Sequence, residues 1–385
     1  MHVNHAAAAI EVAVPRVFTN LYPDLVAFDN LFQAYRQAAR GKRGRPPAAA
    51  FESDLECNLL ALQRELTERT YRPGGYYSFY IRDPKHRLVS AAPFRDRVVH
   101  HALCNVIDPI FERTFIGDSY ANRPGKGTHG ALDRAQQLAR RYRYVLQCDV
   151  RQYFPSIDHA CLRAILARKI ADPDVLWLID VILAGGDGVL RDEYTQVYFP
   201  GDDLFAAVRP RGLPIGNLTS QLWANVYLNE LDQLVKRQLR CPAYLRYVDD
   251  FLLFADDKRV LWQWKDAIRE RLGELRLTLH ERSSTVYPVA TGIPFLGFRV
   301  YPDHKRLKRR NGVAFGRRLR RYRAAVQRGE MDRETCRQRV RGWIAHAAHG
   351  DTWGLRWCLL NPTLNLSRRK SGGRGMRNAA ARAED

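Results

Sequence analysis

Apolar residues recur every three or four positions in several stretches of the chain, which is the spacing of helices with one buried face. The clearest case is Leu55, Leu59, Leu62 and Leu66. The same pattern predicts longer helices at 94–115, 220–240 and 259–275, and a pair of helices at 314–349. Each of these helices is expected to pack one side against the rest of the protein.

Short runs of aromatic, β-branched and other apolar residues predict strands between the helices. They lie at 144–150, 244–254, 285–289 and 295–301, the second being two strands joined by a tight turn. Residues 71–88 combine glycines with aromatic and β-branched residues, which predicts a hairpin with basic residues near its turn. An irregular insert rich in Gly and Asp follows at 186–211.

Composition adds a strong charge asymmetry to this pattern. The 385 residues include 62 Lys and Arg, of which 52 are Arg, against 41 Asp and Glu, for a formal charge of +21. The 46% hydrophobic share excludes a disordered chain, and the apolar runs are too short to span a bilayer. Guanidinium groups bind phosphate in a bidentate manner, so the arginine excess predicts a nucleic acid as partner.

Cysteines and the start of the chain point to a reducing compartment. The seven cysteines are scattered, and none forms a CxxC pair, which favours free thiols over zinc sites or disulfides. The first residues lack the basic start of a signal peptide, so residues 1–16 are interpreted as a loose lead-in. We therefore expect a cytoplasmic protein without membrane partners.

Two adjacent carboxylates, Asp249 and Asp250, stand between the two apolar strands of 244–254. They repel each other there, and a divalent cation would remove that penalty. Asp149 ends another apolar strand, so the three acids together provide the minimum for a two-metal site. The alternative is that Asp249 and Asp250 form a solvated acidic turn without a metal, as is expected for Asp256 and Asp257. Asp158 is expected to cap a helix instead.

Four motifs resemble those of reverse transcriptases and follow one another along the chain with the order and spacing of that family. They are the catalytic motif Tyr247–Asp250, the first palm motif Cys148–His159, the template and nucleotide motif Gly212–Gln221, and the primer grip Phe295–Phe298. The resemblance covers roughly residues 25–350. It implies an RNA-directed DNA polymerase with an α+β, right-hand fold, in which a ferredoxin-like antiparallel sheet forms the palm.

The resemblance also implies a division of the chain into polymerase domains. These are a flexible lead-in at 1–16, fingers at 17–143, a palm at 144–303 with an insert near 165–211, a helical thumb at 304–362, and a basic disordered tail at 363–385.

Roles transfer from the family to matching positions. Asp149, Asp249 and Asp250 would be catalytic and would hold two Mg²⁺ ions, or Mn²⁺ in their place, with the Val150 carbonyl as a further ligand. Phe154 matches a steric gate that excludes ribonucleotides, unless it is an ordinary core aromatic. The dNTP would also be bound by Lys85, Arg87, Ile215 and Gly216, and the primer by Phe295, Leu296 and Gly297.

A basic segment at 305–328 has eleven Lys and Arg and no acid, which favours a bound polyanion. It is expected to follow the phosphates of template RNA and of the RNA/DNA hybrid. The residues predicted to contact nucleic acid are Arg123, Lys126, Lys305, Lys308, Arg309, Arg310, Arg317 and Arg320.

Details of the motifs resemble diversity-generating retroelement enzymes. Ile215-Gly216 stands where most reverse transcriptases have Gln-Gly, and Ser220-Gln221 where they have Ser-Pro. Residues 120–129 and 295–308 resemble the same group. Such enzymes copy a template-repeat RNA into mutagenised cDNA and work with a small helical pentameric accessory protein. Because Ile cannot donate or accept the hydrogen bond that Gln makes, reduced fidelity is expected.

Three other interpretations remain. One is a stand-alone antiphage-defence reverse transcriptase. A group II intron-derived enzyme is a second, although it would need a further RNA-binding domain and only 35 residues follow position 350. A non-catalytic RNA-binding protein on the same fold is the third, and the three clustered acids argue against it. One departure from the family is Ser283, where a Lys is usual, and no residue there is assigned to catalysis.

Overall fold

The computed structural model describes residues 17–82 and 86–361, and in this part of the chain the fold is α+β. The helices are α1 Tyr22–Val26, α2 Phe28–Ala39, α3 Pro46–Glu52, α4 Leu55–Thr67, α5 Phe94–Glu112, α6 Thr128–Ala139, α7 Tyr153–Ser156, α8 His159–Ala167, α9 Pro173–Gly186, α10 Leu218–Gln233, α11 Lys258–Glu274, α12 Arg309–Gln327, α13 Arg333–Ala347 and α14 Trp353–Leu360. The strands are β1 Tyr77–Ile81, β2 Arg87–Ala91, β3 Tyr144–Asp149, β4 Tyr244–Tyr247, β5 Asp250–Ala255, β6 Thr285–Pro288, β7 Ile293–Phe295, β8 Phe298–Val300 and β9 Lys305–Leu307.

The strands form three sheets. β1 and β2 make an antiparallel hairpin, which confirms the hairpin predicted at 71–88. A four-stranded sheet has the order β4-β5-β3-β6, and a three-stranded antiparallel sheet the order β7-β8-β9. The single strand predicted at 295–301 is wrong, because Leu296 and Gly297 both have positive φ and form a two-residue hairpin turn there.

Two compact units divide the chain. The first contains the described residues up to Gly125, then Gln147–Phe251 and Trp262–Thr285. Its core is built on α5 and α10, and α10 is buried almost all round. Trp223, Tyr227 and Leu231 are buried, but so are residues on the other sides of α10, so the expected one-sided packing is wrong for this helix. On α4, Leu59, Leu62 and Leu66 are buried.

The second unit contains Lys126–Leu146, Leu252–Leu261 and the described residues from Val286 onward. In it, α12 packs on α13 through the rings of Phe315 and Trp343, which stack with centroids 3.7 Å apart. On α12, Phe315 and Leu319 are buried, as the helical spacing predicted.

Two further findings bear on the cellular environment. No helix among the described residues combines the length and the apolar character needed to cross a membrane. All seven cysteines are free thiols, and Cys104, Cys148 and Cys241 are buried. The expectations for the lead-in at 1–16 and for the tail at 363–385 lie outside the described residues.

Candidate active site

A tight turn between β4 and β5 presents two of the predicted catalytic acids. Asp249 lies in the turn and Asp250 begins β5, and both side chains are half-buried. Val248, which precedes them, has a φ of 56°. A β-branched residue rarely adopts this left-handed region, so the surrounding structure must hold the turn in place.

Arg246 helps to hold this turn. Its side chain is fully buried, and Nη1 donates to the Val248 carbonyl at 3.0 Å. The same guanidinium donates to both carboxylate oxygens of the buried Asp232 on α10, at 2.8 and 2.7 Å. This is a bidentate pair, which fixes orientation as well as charge.

Further contacts complete the network around Arg246. The Asn225 side chain accepts from Arg246 Nη1 at 3.2 Å, and the Tyr244 hydroxyl donates to Asp232 at 2.6 Å. Burial by itself lowers the pKa of Arg246, but the charge of Asp232 raises that pKa overall, so the guanidinium stays charged. The hairpin of β4 and β5 is therefore tied to α10 by an internal ion pair.

Sequence reasoning missed this network. A signal was present, because an Arg inside the apolar strand Tyr244–Tyr247 needs a buried partner. The sequence did not show which acid would supply it.

Asp149 is the last residue of β3, which lies between β5 and β6 in the sheet. The next residues pair with 278–280, since the Asp149 carbonyl accepts from the His280 amide and the Arg151 amide donates to the Thr278 carbonyl, both at 2.8 Å. Val150 and Leu279 form the bridge between these two bonds. In such a pair the Val150 carbonyl points away from residues 278–280, toward the opposite edge of its own strand.

The charge of Asp249 affects the pKa of Tyr153, which lies in the segment that follows β3. Burial raises the pKa of Tyr153 well above its usual value, and the charges of Asp249 and Asp232 raise it further while Arg246 opposes them. Tyr153 is four residues beyond Asp149 and is itself buried. The turn between β4 and β5 and the segment after β3 are thus close enough for their charges to interact.

The donor set at these strand ends suits a hard cation. Carboxylate and carbonyl oxygens are the ligands that Mg²⁺ prefers, and Mg²⁺ is usually held by one or two carboxylates together with substrate phosphates. Within 17–82 and 86–361, no group of three or more His, Cys, Asp or Glu side chains is arranged to hold a metal ion by itself.

The nucleotide motif is a loop held against β2. The Ile215 carbonyl accepts from the Ser90 amide at 2.8 Å, and Gly216 has a φ of +117°. A Cβ at Gly216 would lie 3.0 Å from a methyl group of Val89, so a side chain there would be strained and crowded.

Asn217 anchors this loop and was not singled out from the sequence. Its buried side-chain amide donates to the carbonyls of Ser90 and Pro214 at 2.9 and 3.0 Å, and its side-chain oxygen accepts from the Ala92 amide at 3.1 Å. These bonds fix the main chain at Ile215 and Gly216 while the Ile215 side chain stays half-buried.

Phe154 differs from a core aromatic in its exposure. Its ring is half-buried and meets the fully buried Tyr153 edge-on, with centroids 5.5 Å apart. The Phe154 carbonyl accepts from the Leu213 amide at 2.9 Å, which joins the first palm motif to the nucleotide loop. Asp158 caps α8 by accepting from the Cys161 amide, as predicted, and also pairs with Arg209.

The predicted basic contacts in the first unit have different outcomes. Arg87 begins β2 and is exposed, whereas Lys85 lies outside the described residues. The prediction for Arg123 is wrong. Its guanidinium is only 7% exposed, because it pairs with Glu112 and donates to the carbonyls of Ile116 and Ser119. Arg123 therefore stabilises the fold and is not available to a phosphate.

The predicted primer grip lies in the second unit. Phe295 is buried, and Leu296 and Gly297 form the turn between β7 and β8. The Gly297 carbonyl accepts from the Asn311 side chain and from the Lys308 amide, both at 3.0 Å. The turn is thereby fixed to the start of α12.

The predicted basic contacts of the second unit differ in how far their side chains are exposed. Arg309, Arg310, Arg317 and Arg320 are exposed on α12, while Lys126 and Lys308 are half-buried. The side chain of Lys305 is only 11% exposed, pairs with Asp133 and contacts the His349 ring nitrogen at 3.3 Å, so its contact with nucleic acid stays a prediction. An ion pair with an acid leaves Lys305 little charge to offer a nucleic acid.

Ser283, at the position of the usual Lys, donates to the His280 carbonyl at 3.1 Å. The nearby Lys265 is buried, donates to the Ser284 carbonyl at 2.8 Å and pairs with Glu281 at 2.9 Å. Lys265 is therefore committed to internal partners and does not replace the missing Lys.

Comparison with known proteins agrees with this geometry. The family profile described as reverse transcriptase (RNA-dependent DNA polymerase) matches residues 82–300. Protein YkfC of Escherichia coli (strain K12) is 28% identical over 299 residues, which covers 66% of this chain and 74% of YkfC.

Two other relatives are proteins of introns. The group II intron-encoded protein LtrA of Lactococcus lactis subsp. cremoris is 28% identical over 233 residues, covering 58% of this chain and 36% of LtrA. Nuclear intron maturase 1, mitochondrial, of Arabidopsis thaliana is 28% identical over 195 residues, covering 44% of this chain and 27% of the maturase. The chain thus spans about a third of these two relatives. Because the family profile matches more than half of its residues, the chain belongs to the reverse transcriptase (RNA-dependent DNA polymerase) family.

Proposed function

We propose that this reverse transcriptase copies a specific template RNA into cDNA with low fidelity, as enzymes of diversity-generating retroelements do. The observation that carries the proposal is Ile215, an apolar side chain where most reverse transcriptases have Gln. The loop is anchored to β2 through Asn217 and Ser90, so its main chain is fixed. The contact that this loop makes with a nascent base pair therefore depends on which side chain stands at position 215.

The three strand-end carboxylates supply the chemistry of this proposal. Asp149, Asp249 and Asp250, with the Val150 carbonyl, would hold two Mg²⁺ ions, or Mn²⁺ in their place. When bound, these ions activate the primer 3′-hydroxyl and neutralise the leaving pyrophosphate. The protein's own contribution is positioning, because phosphoryl transfer needs little covalent chemistry from side chains. Arg246 fixes the turn that presents Asp249 and Asp250, and the exposed Arg87 holds the triphosphate.

The expected loss of fidelity can be estimated. A hydrogen bond contributes about 1 kcal/mol, and an apolar pocket distinguishes similar ligands by roughly 1–3 kcal/mol. An enzyme with Ile at 215 lacks the first of these contributions. The loss of this hydrogen bond, about 1 kcal/mol, corresponds to about a fivefold higher error frequency.

Ile215→Gln should lower the error frequency of cDNA synthesis by about fivefold, because the amide restores a hydrogen bond near the nascent pair. Deep sequencing of products from one defined RNA template measures this. Ile215→Leu is the matched control, since it keeps an apolar side chain and should keep the wild-type error frequency. The same error spectrum in all three proteins would reject this role for residue 215.

Phe154→Ala should admit ribonucleotides, because removal of the ring opens space for a 2′-hydroxyl. We expect the preference for dNTP over rNTP, measured as the ratio of kcat/KM values, to fall by roughly 10- to 100-fold. Phe154→Tyr keeps the bulk of the ring and should keep the preference. An unchanged preference in the Ala variant would place the gate elsewhere.

Similarity to LtrA and to a nuclear intron maturase favours a second candidate, a protein that acts on a group II intron RNA. The two candidates differ in their RNA. Binding competition between a template-repeat RNA and a group II intron RNA, each at the same salt concentration, separates them. The first proposal also expects a small helical pentameric accessory protein to increase binding of the template-repeat RNA.

A further inference from the structure

Two tryptophans on α14 are exposed to an unusual degree. The side chain of Trp353 is 70% exposed and that of Trp357 is 50% exposed. Their rings are nearly parallel, with an interplanar angle of 13° and centroids 5.6 Å apart. Tryptophan is highly buried on average in folded proteins, so an aligned exposed pair indicates a surface that binds something.

The packing of α14 explains why these rings face outward. Leu355 and Leu359 lie against two glycines of α12, because a Cβ at Gly312 or at Gly316 would come within 3.2 Å of a leucine methyl group. Residues two positions apart on a helix point in nearly opposite directions. Trp353 and Trp357 therefore occupy the side of α14 away from this contact, and the packing does not depend on them.

The surroundings of the pair are basic. α12 has seven arginines and no acid, and α14 has Arg356 between the two tryptophans and no acid. Arg323 of α12 reaches the end of α14, where Nη2 lies 3.4 Å from the Leu360 carbonyl. Arg320 lies on the same side of α12 as Gly312 and Gly316, because the three are spaced by four residues. The aromatic pair thus lies on a helix whose neighbour α12 is strongly basic.

Flat aromatic rings combined with guanidinium groups suit an unpaired nucleic acid strand. Bases stack on aromatic side chains, and cationic groups follow the phosphates. A double helix hides the faces of its bases, so it cannot use such rings. An acidic protein would find the charges, but two parallel flat rings suit the face of a base better than a carboxylate.

We propose that Trp353 and Trp357 form a stacking platform for single-stranded RNA. Unpaired nucleotides of the template, outside the RNA/DNA hybrid, stack on the two rings, and Arg320, Arg323 and Arg356 hold their phosphates. The inference rests on the reverse transcriptase function only in naming the template as the source of this strand.

Fluorescence anisotropy of the full chain with a labelled oligouridine of about 12 nucleotides tests the platform, because this RNA has no secondary structure. Trp353→Ala/Trp357→Ala should weaken its binding by at least about tenfold, since stacking of one base alone is worth roughly five- to 150-fold. Binding of a blunt RNA/DNA duplex should change by less than about twofold, because no base face is accessible in it.

Two control variants separate stacking from other effects. Trp353→Phe/Trp357→Phe keeps flat rings and should keep most of the binding. Trp262→Ala removes another exposed tryptophan, 46% exposed on α11, and should leave oligouridine binding unchanged. Equal losses on both probes would overturn the proposal, since they would indicate general electrostatics or misfolding. Unchanged oligouridine binding in the double-alanine variant would overturn it as well, and would point to a protein partner for this surface.

Primer extension on a template with a single-nucleotide overhang reports the polymerase separately. The double-alanine variant should extend this primer at the wild-type rate, because this template has too little unpaired RNA to stack on both rings. A loss of extension in that variant would count against a separate platform. Failure of the wild-type protein to extend the primer would count against the proposed function and would leave the anisotropy test intact.

Discussion

Asp249→Asn and Asp250→Asn should each reduce primer extension by at least roughly 10²-fold, and the double variant should show no extension. Asparagine has nearly the same size as aspartate, so the turn between β4 and β5 keeps its shape. It lacks the negative charge that would offset a divalent cation beside the triphosphate. Asp149→Asn at the end of β3 is expected to have the same effect.

The measurement is extension of a labelled DNA primer on an RNA template with Mg²⁺, and again with Mn²⁺. Asp257→Asn is the matched control, because Asp257 belongs to another acidic pair and its side chain accepts from the Arg259 amide. Asn caps a helix as well as Asp does, so activity should be retained. RNA binding of all variants should stay within about twofold of wild type. Retained extension in the purified Asp249→Asn/Asp250→Asn protein would exclude the metal assignment.

Arg246→Met should lower the free energy of unfolding by about 3–5 kcal/mol, since it leaves the carboxylate of Asp232 buried without its partner. Asp232→Leu should have a similar cost, because it leaves the guanidinium unpaired. Chemical denaturation followed by circular dichroism measures both. Arg328→Met breaks an exposed ion pair with Glu330 and should leave the denaturation midpoint unchanged.

The double variant Asp232→Leu/Arg246→Met separates stability from positioning. Removing both charges together should recover much of the lost stability, because apolar side chains of similar volume often replace a buried pair at little cost. It should not recover kcat, because the Val248 carbonyl still lacks the donor that fixes the strained turn. A stable double variant with wild-type kcat would show that Arg246 acts only through stability.

Short-range patterns in the sequence were sufficient for several parts of the fold and site. The hairpin at 71–88 and the cap at Asp158 depend on residues a few positions apart, so local spacing predicts them. The hairpin turn at Leu296 and Gly297 was missed, because a run of apolar residues does not reveal a two-residue turn when Leu occupies a position of positive φ.

The sequence by itself singled out the candidates for the chemistry, since three acids at the ends of apolar strands are recognisable without a structure. Only the tertiary structure decided which charges are available. Arg123 and Lys305 count equally with Arg317 in the net charge, yet the first two pair with Glu112 and Asp133. Asp232 became the partner of Arg246 in the same way. Charge is a property of each residue, whereas its exposure and its partner depend on residues that only folding brings together.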